Sequence, residues 1–103
     1  MARVIVTDPG SDDQAVILRD LYAKAGKRTT VKYRTLFTRL FDPLAEHPAI
    51  GAPRPGLGSQ VLIGIVLPYV FIYQYDESVD TVTILRIVDG RRNITAQLLT
   101  GMV

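Results

Sequence analysis

The second half of the chain alternates apolar and polar side chains with a period of two, which is typical of β-strands. The alternation covers Val61–Leu67 and Tyr69–Tyr75, which Pro68 separates, and then Thr81–Val88. A polar turn, Asp76–Asp80, joins the last two of these segments. The pattern therefore predicts three successive strands that form a β-meander.

The middle predicted strand carries apolar residues on both faces. One face holds the aromatic side chains Tyr69, Phe71, Tyr73 and Tyr75. Val70 and Ile72 lie on the other face, and a strand that is apolar on both sides is typical of the centre of a covered sheet. An aromatic stripe can stack nucleobases. Aromatic residues of central strands more often pack against neighbouring side chains, so we expect a core position.

The first half of the chain predicts one short strand followed by a helix. The β-branched run Arg3–Thr7 leads into Asp8–Gly10, a turn signal, and so predicts the first strand. Ser11 stands three residues before Gln14, a capping-box spacing that predicts the start of a helix. The apolar side of this helix consists of residues at helical spacing: Leu18, Leu21, Tyr22 and Ala25.

A second helix is expected after Gly26, because glycine favours the position just past a helix C-terminus. It should begin at about Thr30, and its buried side is formed by Tyr33, Phe37, Leu40, Phe41 and Leu44. Asp42 and Pro43 predict a kink or a fresh helical turn, since proline removes a backbone donor. The segment Gly51–Gly58 is too rich in proline and glycine to continue a helix.

This order of elements predicts one α+β domain over residues 1–103. An N-terminal strand and two helices precede the meander, so the helices are segregated from most of the strands. Such segregation is typical of a two-layer domain in which helices pack on a mostly antiparallel sheet. A chain of 103 residues is long enough for one hydrophobic core but not for two.

The composition excludes several classes of function. With 48% hydrophobic and 21% charged residues, the chain is typical of a folded globule rather than a disordered tail. It has no cysteine and one histidine, so we expect no disulfide, no metal centre and no cofactor. Its longest apolar stretch, residues 61–73, is shorter than a spanning helix, and its N-terminal apolar run is too brief for a signal peptide. We therefore expect a cytoplasmic protein.

The net charge of +2 hides an uneven distribution of cations. Six cations and no acid lie between Leu21 and Phe41: Lys24, Lys27, Arg28, Lys32, Arg34 and Arg39. This block predicts either an electrostatic footprint for nucleic acid or an acidic protein, or simply a solvated helix face. Three acids precede this block, namely Asp12, Asp13 and Asp20. Helix capping and solvation explain them better than catalysis does, since no base or metal partner is in view.

Four segments carry a resemblance to a known family. Pro68–Tyr75, Thr81–Val88 and Gly90–Ile94 match the family words "YvifYrv", "vtilRvlh" and "GrRd". Glu46–Arg54 matches the word "ehPeiGrpr", which links helix to sheet. Together these segments cover about half of the chain in the right order. On them the chain resembles the RelE/ParE family of bacterial type II toxin–antitoxin toxins.

The matched words are more ParE-like, the plasmid-stabilisation type, than RelE-like. RelE-like members cleave messenger RNA in the ribosome, whereas ParE-like members use the same fold to poison DNA gyrase. The family often has histidine where this chain has Asp89, and often an arginine before the middle strand where this chain has Gln60 and Val61. Both differences weigh against a ribonuclease. The alternatives to a gyrase poison are a ribosome-dependent endoribonuclease and an attenuated, non-toxic relative.

The resemblance also implies where the chain contacts its target. The matched arginines Arg86, Arg91 and Arg92 are the predicted target-binding residues, because a guanidinium presents a planar fork to phosphate or carboxylate. We expect Arg86 at the edge of the open sheet face with an accessible guanidinium. The alternative for Arg86 is an ion pair with Asp89 or with an acid of the turn.

A cognate antitoxin is the other partner that the resemblance implies, in a toxin–antitoxin hetero-oligomer. An antitoxin segment laid over the helices and sheet is predicted to contact Leu18, Tyr22, Lys32 and Arg39. His47 could act as a general base, but no nucleophile or orienting partner lies near it in the sequence. We therefore name no catalytic residue.

Overall fold

The computed structural model describes residues 1–92 and 94–100 and places them in a two-layer α+β fold. The strands are β1 (Arg3–Val6), β2 (Ala52–Pro53), β3 (Val61–Val66), β4 (Tyr69–Asp76) and β5 (Thr81–Asp89). The helices are α1 (Asp8–Glu46) and α2 (Gln97–Thr100), with a 3-10 turn at Pro55–Leu57. The strands form one five-stranded sheet in the order β1-β5-β4-β3-β2. The predicted fold class and the meander β3-β4-β5 are confirmed.

The first strand joins the sheet in a way that the sequence pattern did not indicate. β1 lies beside β5 and runs parallel to it, with Arg3 opposite Thr81 and Val6 opposite Ile84. All other neighbouring strands are antiparallel. The sheet is therefore mixed, and α1 and strands β2 to β4 lie between β1 and its partner β5 in the sequence.

Helix α1 begins earlier than its sequence predicts. Thr7 is the N-cap, and its hydroxyl accepts a hydrogen bond of 3.0 Å from the backbone N–H of Gly10. The expected turn at Asp8–Gly10 and the expected start at Ser11 are wrong, because Asp8 already belongs to the helix. Proline suits the first helical turn, where its missing N–H has no partner to lose. The segment Asp8–Gly10 therefore forms the first turn of a helix rather than a loop turn.

Gly26 divides α1 into two arms, the first arm at residues 8–25 and the second arm at residues 27–46. Its backbone has φ 83° and ψ −178°, whereas the rest of the helix keeps helical angles. A continuous helix of 39 residues would be about 58 Å long. The longest dimension of the molecule is only 41 Å. The predicted break at Gly26 is confirmed. The expected start of the second helix at about Thr30 is wrong, because the second arm resumes directly after Gly26.

Gly26→Ala should lower the free energy of unfolding by about 1–3 kcal/mol, because this φ and ψ combination is almost restricted to glycine. Space does not limit the substitution, since nothing lies within 4 Å of an added Cβ. Gly56→Ala is the matched control, because its Cβ also meets nothing within 4 Å and its φ is not left-handed. Urea denaturation of both variants tests the prediction. Equal stability of the two variants would contradict it.

The expected kink at Asp42 and Pro43 is wrong. The second arm continues through Pro43 to Glu46, and His47 closes it by donating its backbone N–H to the Pro43 carbonyl at 2.8 Å. Pro43 removes one helical hydrogen bond, but Arg39, one turn earlier, is exposed to solvent. Water can therefore satisfy the carbonyl that proline leaves without a donor. Burial of Leu44 on the opposite side keeps this last turn packed against the sheet.

The main core lies between α1 and one face of the sheet. Phe71 and Tyr73 of β4 are fully buried in it, and Tyr69 and Tyr75 pack against it. Phe37 of the second arm meets the Phe71 ring edge-on, with ring centroids 5.2 Å apart. The aromatic stripe of β4 is therefore a core feature, as the sequence predicts.

The other face of the sheet has a smaller core. Its buried residues are Leu57, Val61, Val70, Ile72 and Val88. Three partly buried residues that follow β5 pack against it, namely Ile94, Leu98 and Leu99. The sheet is thus covered on both faces, by α1 on one side and by the 3-10 turn and the C-terminal segment on the other.

The start of α1 also completes the edge of β5 beyond the end of β1. The backbone N–H of Thr7 donates to the Ile84 carbonyl at 3.0 Å, and the Thr7 hydroxyl donates to the Leu85 carbonyl at 2.8 Å. The backbone N–H of Ile87 donates to a carboxylate oxygen of Asp13 at 2.9 Å. Helix side chains therefore replace the missing strand along this stretch and fix the first arm on the sheet.

Candidate target-binding site

A groove runs between the first arm of α1 and the end of β5. The charged residues of its helix side are Asp12, Asp13, Asp20 and Lys24. Its sheet side presents Tyr69, Asp89, Arg91 and Arg92. Arg91 and Arg92 follow β5 after Gly90, and both are exposed. The site therefore brings two of the three predicted target-binding arginines to the rim of one groove.

Arg86 lies deeper and is engaged by the protein itself. Its Nε and one terminal nitrogen donate to the two carboxylate oxygens of Asp13, at 2.6 and 3.0 Å. Its other terminal nitrogen donates to the Leu98 carbonyl at 3.0 Å. The Arg86 and Asp13 side chains are only 18% and 17% exposed. The hydrogen bonds with Asp13 raise the pKa of Arg86, so the guanidinium stays charged in this partly buried position.

These contacts change two expectations from the sequence. The expected accessible guanidinium of Arg86 is wrong, and the ion-pair alternative holds with Asp13 rather than with Asp89 or a turn acid. Asp13 is also more than a capping or solvated acid, since it accepts hydrogen bonds from Arg86 and from the Ile87 backbone. A role for Arg86 in target binding stays a prediction.

Asp89 binds Arg91 at the rim of the groove. The Arg91 backbone N–H and its Nε both donate to one carboxylate oxygen of Asp89, at 2.9 and 3.0 Å. A terminal nitrogen of Arg91 donates to the other oxygen at 2.6 Å. These hydrogen bonds with Arg91 lower the pKa of Asp89 to about 2. The residue that stands where the family often has histidine thus orients an arginine.

The pKa of Asp89 should rise toward the ordinary aspartate value of about 3.9 in Arg91→Ala. The folded-state pKa of about 2 lies below the unfolded value. The contact therefore stabilises the fold above about pH 4, and this contribution is lost as the pH falls toward about 2. Carbon-13 NMR titration of the Asp89 carboxyl measures the shift. Arg92→Ala is the control and should leave this pKa unchanged; equal titration curves for wild type and Arg91→Ala would refute the assignment.

The four predicted antitoxin contacts fall on two different surfaces. Leu18 and Tyr22 line a groove between the two arms of α1, together with Arg19, Thr30 and Arg34. Leu18 is buried at its floor, whereas Tyr22 is 61% exposed. Lys32 and Arg39 are exposed on the second arm and do not line this groove. Their spacing of seven residues places them on one side of the helix.

The remaining candidate chemistry is dispersed. His47 is exposed at the C-terminal end of α1 and does not line either groove. Within residues 1–92 and 94–100, no three histidine, aspartate or glutamate side chains are grouped so that they could hold a metal ion. No helix in the same part of the chain is both long and apolar enough to cross a membrane.

Comparison with known proteins identifies the family of the chain and agrees with its fold. The family described as "ParE toxin of type II toxin-antitoxin system, parDE" matches residues 4–94. Toxin ParE3 of Caulobacter vibrioides is 33% identical over 98 residues, which cover 95% of this chain and 96% of that protein. The chain therefore belongs to the ParE toxin family of type II toxin–antitoxin systems.

Solved structures share the fold at lower sequence identity. A chain of the chromosomal ParDE system from P. aeruginosa has a TM-score of 0.72 and 20% identity, over 86% of this chain and 96% of that one. A chain of the RelBE2 toxin–antitoxin complex from Mycobacterium tuberculosis has a TM-score of 0.61 and 22% identity, over 85% of this chain and 96% of that one. The α+β architecture is thus common to ParE-like and RelE-like proteins.

Proposed function

We propose that this toxin acts by binding and poisoning DNA gyrase, and that a cognate antitoxin neutralises it. The observation that carries the contact with the target is the placement of Arg91 and Arg92, exposed at the rim of the groove that follows β5. Arginine is frequent at the energetic centres of protein interfaces, where its guanidinium engages carboxylates and aromatic faces. Asp89 holds Arg91 in one orientation and so lowers the entropy that binding would remove.

The chemistry at the groove favours contact over cleavage. Cutting RNA requires a group that takes the 2′-hydroxyl proton, a group that protonates the leaving oxygen and cations on the phosphate. Arg86 donates to Asp13 and to a carbonyl, so its guanidinium is not free to neutralise a phosphate. His47 is not among the described residues that line the groove. Both observations support a binding poison over an endoribonuclease.

A gyrase supercoiling assay and a messenger cleavage assay on one preparation test the proposal. We expect the purified toxin to block supercoiling or trap gyrase–DNA breaks, and to leave messenger RNA in translating ribosomes intact. The double variant Arg91→Ala, Arg92→Ala should inhibit gyrase at least about tenfold more weakly than wild type. The control Lys27→Ala with Arg28→Ala removes two exposed cations that follow Gly26, where the two arms meet. This variant should inhibit gyrase as wild type does. Ribosome-dependent cleavage without gyrase inhibition would reverse the assignment.

The groove between the two arms of α1 is the surface that we propose for the antitoxin. Its apolar floor at Leu18, the exposed ring of Tyr22 and the cations Arg19 and Arg34 suit an amphipathic segment with acidic side chains. Tyr22→Ala with Arg34→Glu should weaken binding of the co-expressed antitoxin, as isothermal titration would measure. Lys32→Glu with Arg39→Glu separates this groove from the outer side of the second arm. A larger loss in the second pair than in the first would move the antitoxin to that outer side.

A further inference from the structure

The C-terminal segment, residues 94–100, cannot hold its position by helix formation alone. It contains α2, which has four residues, and isolated helices of this length do not persist in water. Three of its side chains, Ile94, Leu98 and Leu99, pack against the sheet, and each is partly exposed. The carbonyls of so short a helix also lack helical partners, so they require donors from elsewhere.

Arg86 supplies one of these donors from the sheet. One terminal nitrogen of its guanidinium donates to the Leu98 carbonyl at 3.0 Å. The contact joins β5 to the C-terminal segment, and it lies on the face of the sheet that this segment covers.

Asp13 determines the direction in which Arg86 points. Its two carboxylate oxygens hold Nε and one terminal nitrogen of Arg86, which leaves the remaining terminal nitrogen directed at Leu98. A fork that is held on one side by two parallel hydrogen bonds has little rotational freedom on the other. A β-bulge precedes Arg86, since Ile84 and Arg86 pair with neighbouring residues of β4 and Leu85 has no partner there. Bulges commonly redirect a side chain in this way.

We infer that Asp13 and Arg86 form a clamp that positions the C-terminal segment on the sheet and thereby positions Arg91 and Arg92. The two exposed arginines lie in the sequence between β5 and this segment. The clamp restrains the chain after them, and the hydrogen bonds with Asp89 restrain Arg91 itself. Asp13 and Arg86 are positioning residues in this arrangement and need not touch the target. The last step, from position to target binding, rests on the proposed function.

Hydrogen exchange measured by mass spectrometry tests the clamp directly. Asp13→Asn removes the charge but keeps an oxygen for the Ile87 N–H, and it should speed exchange in residues 94–100 by about tenfold. Exchange in β4 should stay unchanged in the same sample. Arg86→Lys keeps the cation but loses the fork, so it should give the same local effect and serves if the first variant folds poorly. Asp20→Asn, an exposed acid of the same arm, is the control and should change neither region.

Two results would overturn the clamp: unchanged exchange in residues 94–100, or an equal increase in β4, which would mean general destabilisation. Gyrase inhibition by the same variants tests the final step. We expect Asp13→Asn to inhibit less than wild type although every arginine is still present. Locally faster exchange with full inhibition would overturn the link from the clamp to Arg91 and Arg92. A wild-type protein that does not inhibit gyrase would refute the proposed function, while the exchange result would still decide the clamp.

Discussion

Phe37→Ala should lower the free energy of unfolding by about 4 kcal/mol, the middle of the range for a buried phenylalanine. Phe37 is 1% exposed and lies at the centre of the layer between α1 and the sheet. Its ring centroid is 5.2 Å from that of Phe71, 5.6 Å from that of Tyr69 and 6.2 Å from that of Tyr33. Truncation therefore leaves a cavity and also removes edge-on aromatic contacts, which add to the loss of burial.

Urea denaturation at 25 °C measures this effect, and the melting temperature should fall by about 20 °C. Val79→Ala is the control, because Val79 is 65% exposed in the turn before β5. Surface substitutions of that kind usually change stability by less than about 0.5 kcal/mol. A loss below about 1 kcal/mol in Phe37→Ala would show that the second arm does not pack on the sheet as described.

Gly51→Ala should destabilise the fold by about 3 kcal/mol or more, through overpacking and through the loss of one hydrogen bond. The Cβ of an alanine at this position would overlap the Ile63 carbonyl oxygen and the hydroxyl of Tyr73. The backbone N–H of Gly51 donates to the same hydroxyl at 2.8 Å. Tyr73 is fully buried, so its ring has no free space into which it can move.

The measurement is again the free energy of unfolding, and Gly56→Ala provides the comparison within the same loop region. Gly56 has open space around an added Cβ, whereas Gly51 is crowded by backbone and by a buried ring. Tyr73→Phe should lower the free energy of unfolding by about 1–3 kcal/mol, because it leaves the Gly51 N–H without its acceptor. If Gly51→Ala proves as stable as Gly56→Ala, the loop does not approach β3 and β4 as closely as described.

The meander could be predicted because its signals are local. Strands β3, β4 and β5 are short, alternate with period two and are joined by turns, so neighbours in the sequence are neighbours in the sheet. The break at Gly26 was predictable for the same kind of reason, since one residue carries the unusual backbone angles. The start of α1 was not, because Thr7 with Pro9 and the turn-like run Asp8–Gly10 are competing signals on the same few residues.

The clamp was beyond sequence reasoning for a different reason. Asp13 and Arg86 are 73 residues apart, and nothing in the sequence indicates which acid reaches which arginine. The same arm contains three other acids, Asp8, Asp12 and Asp20, and periodicity does not separate a solvated carboxylate from one that faces the sheet. The matched words did identify Arg86, Arg91 and Arg92 as residues of interest. Only the fold distinguishes Arg86, whose side chain is partly buried, from the two arginines that are exposed.

The parallel pairing of β1 with β5 has a consequence for how this toxin is made. Arg3 pairs with Thr81 and Val6 with Ile84, so this part of the sheet closes a loop of about 78 residues. Contacts of such long range are entropically costly to form early and slow the folding of small domains. On the ribosome, β1 and both arms of α1 emerge well before β5. Their apolar faces therefore stay uncovered until β5 has been translated. The β1 edge of the sheet is therefore completed only after β5 has been translated.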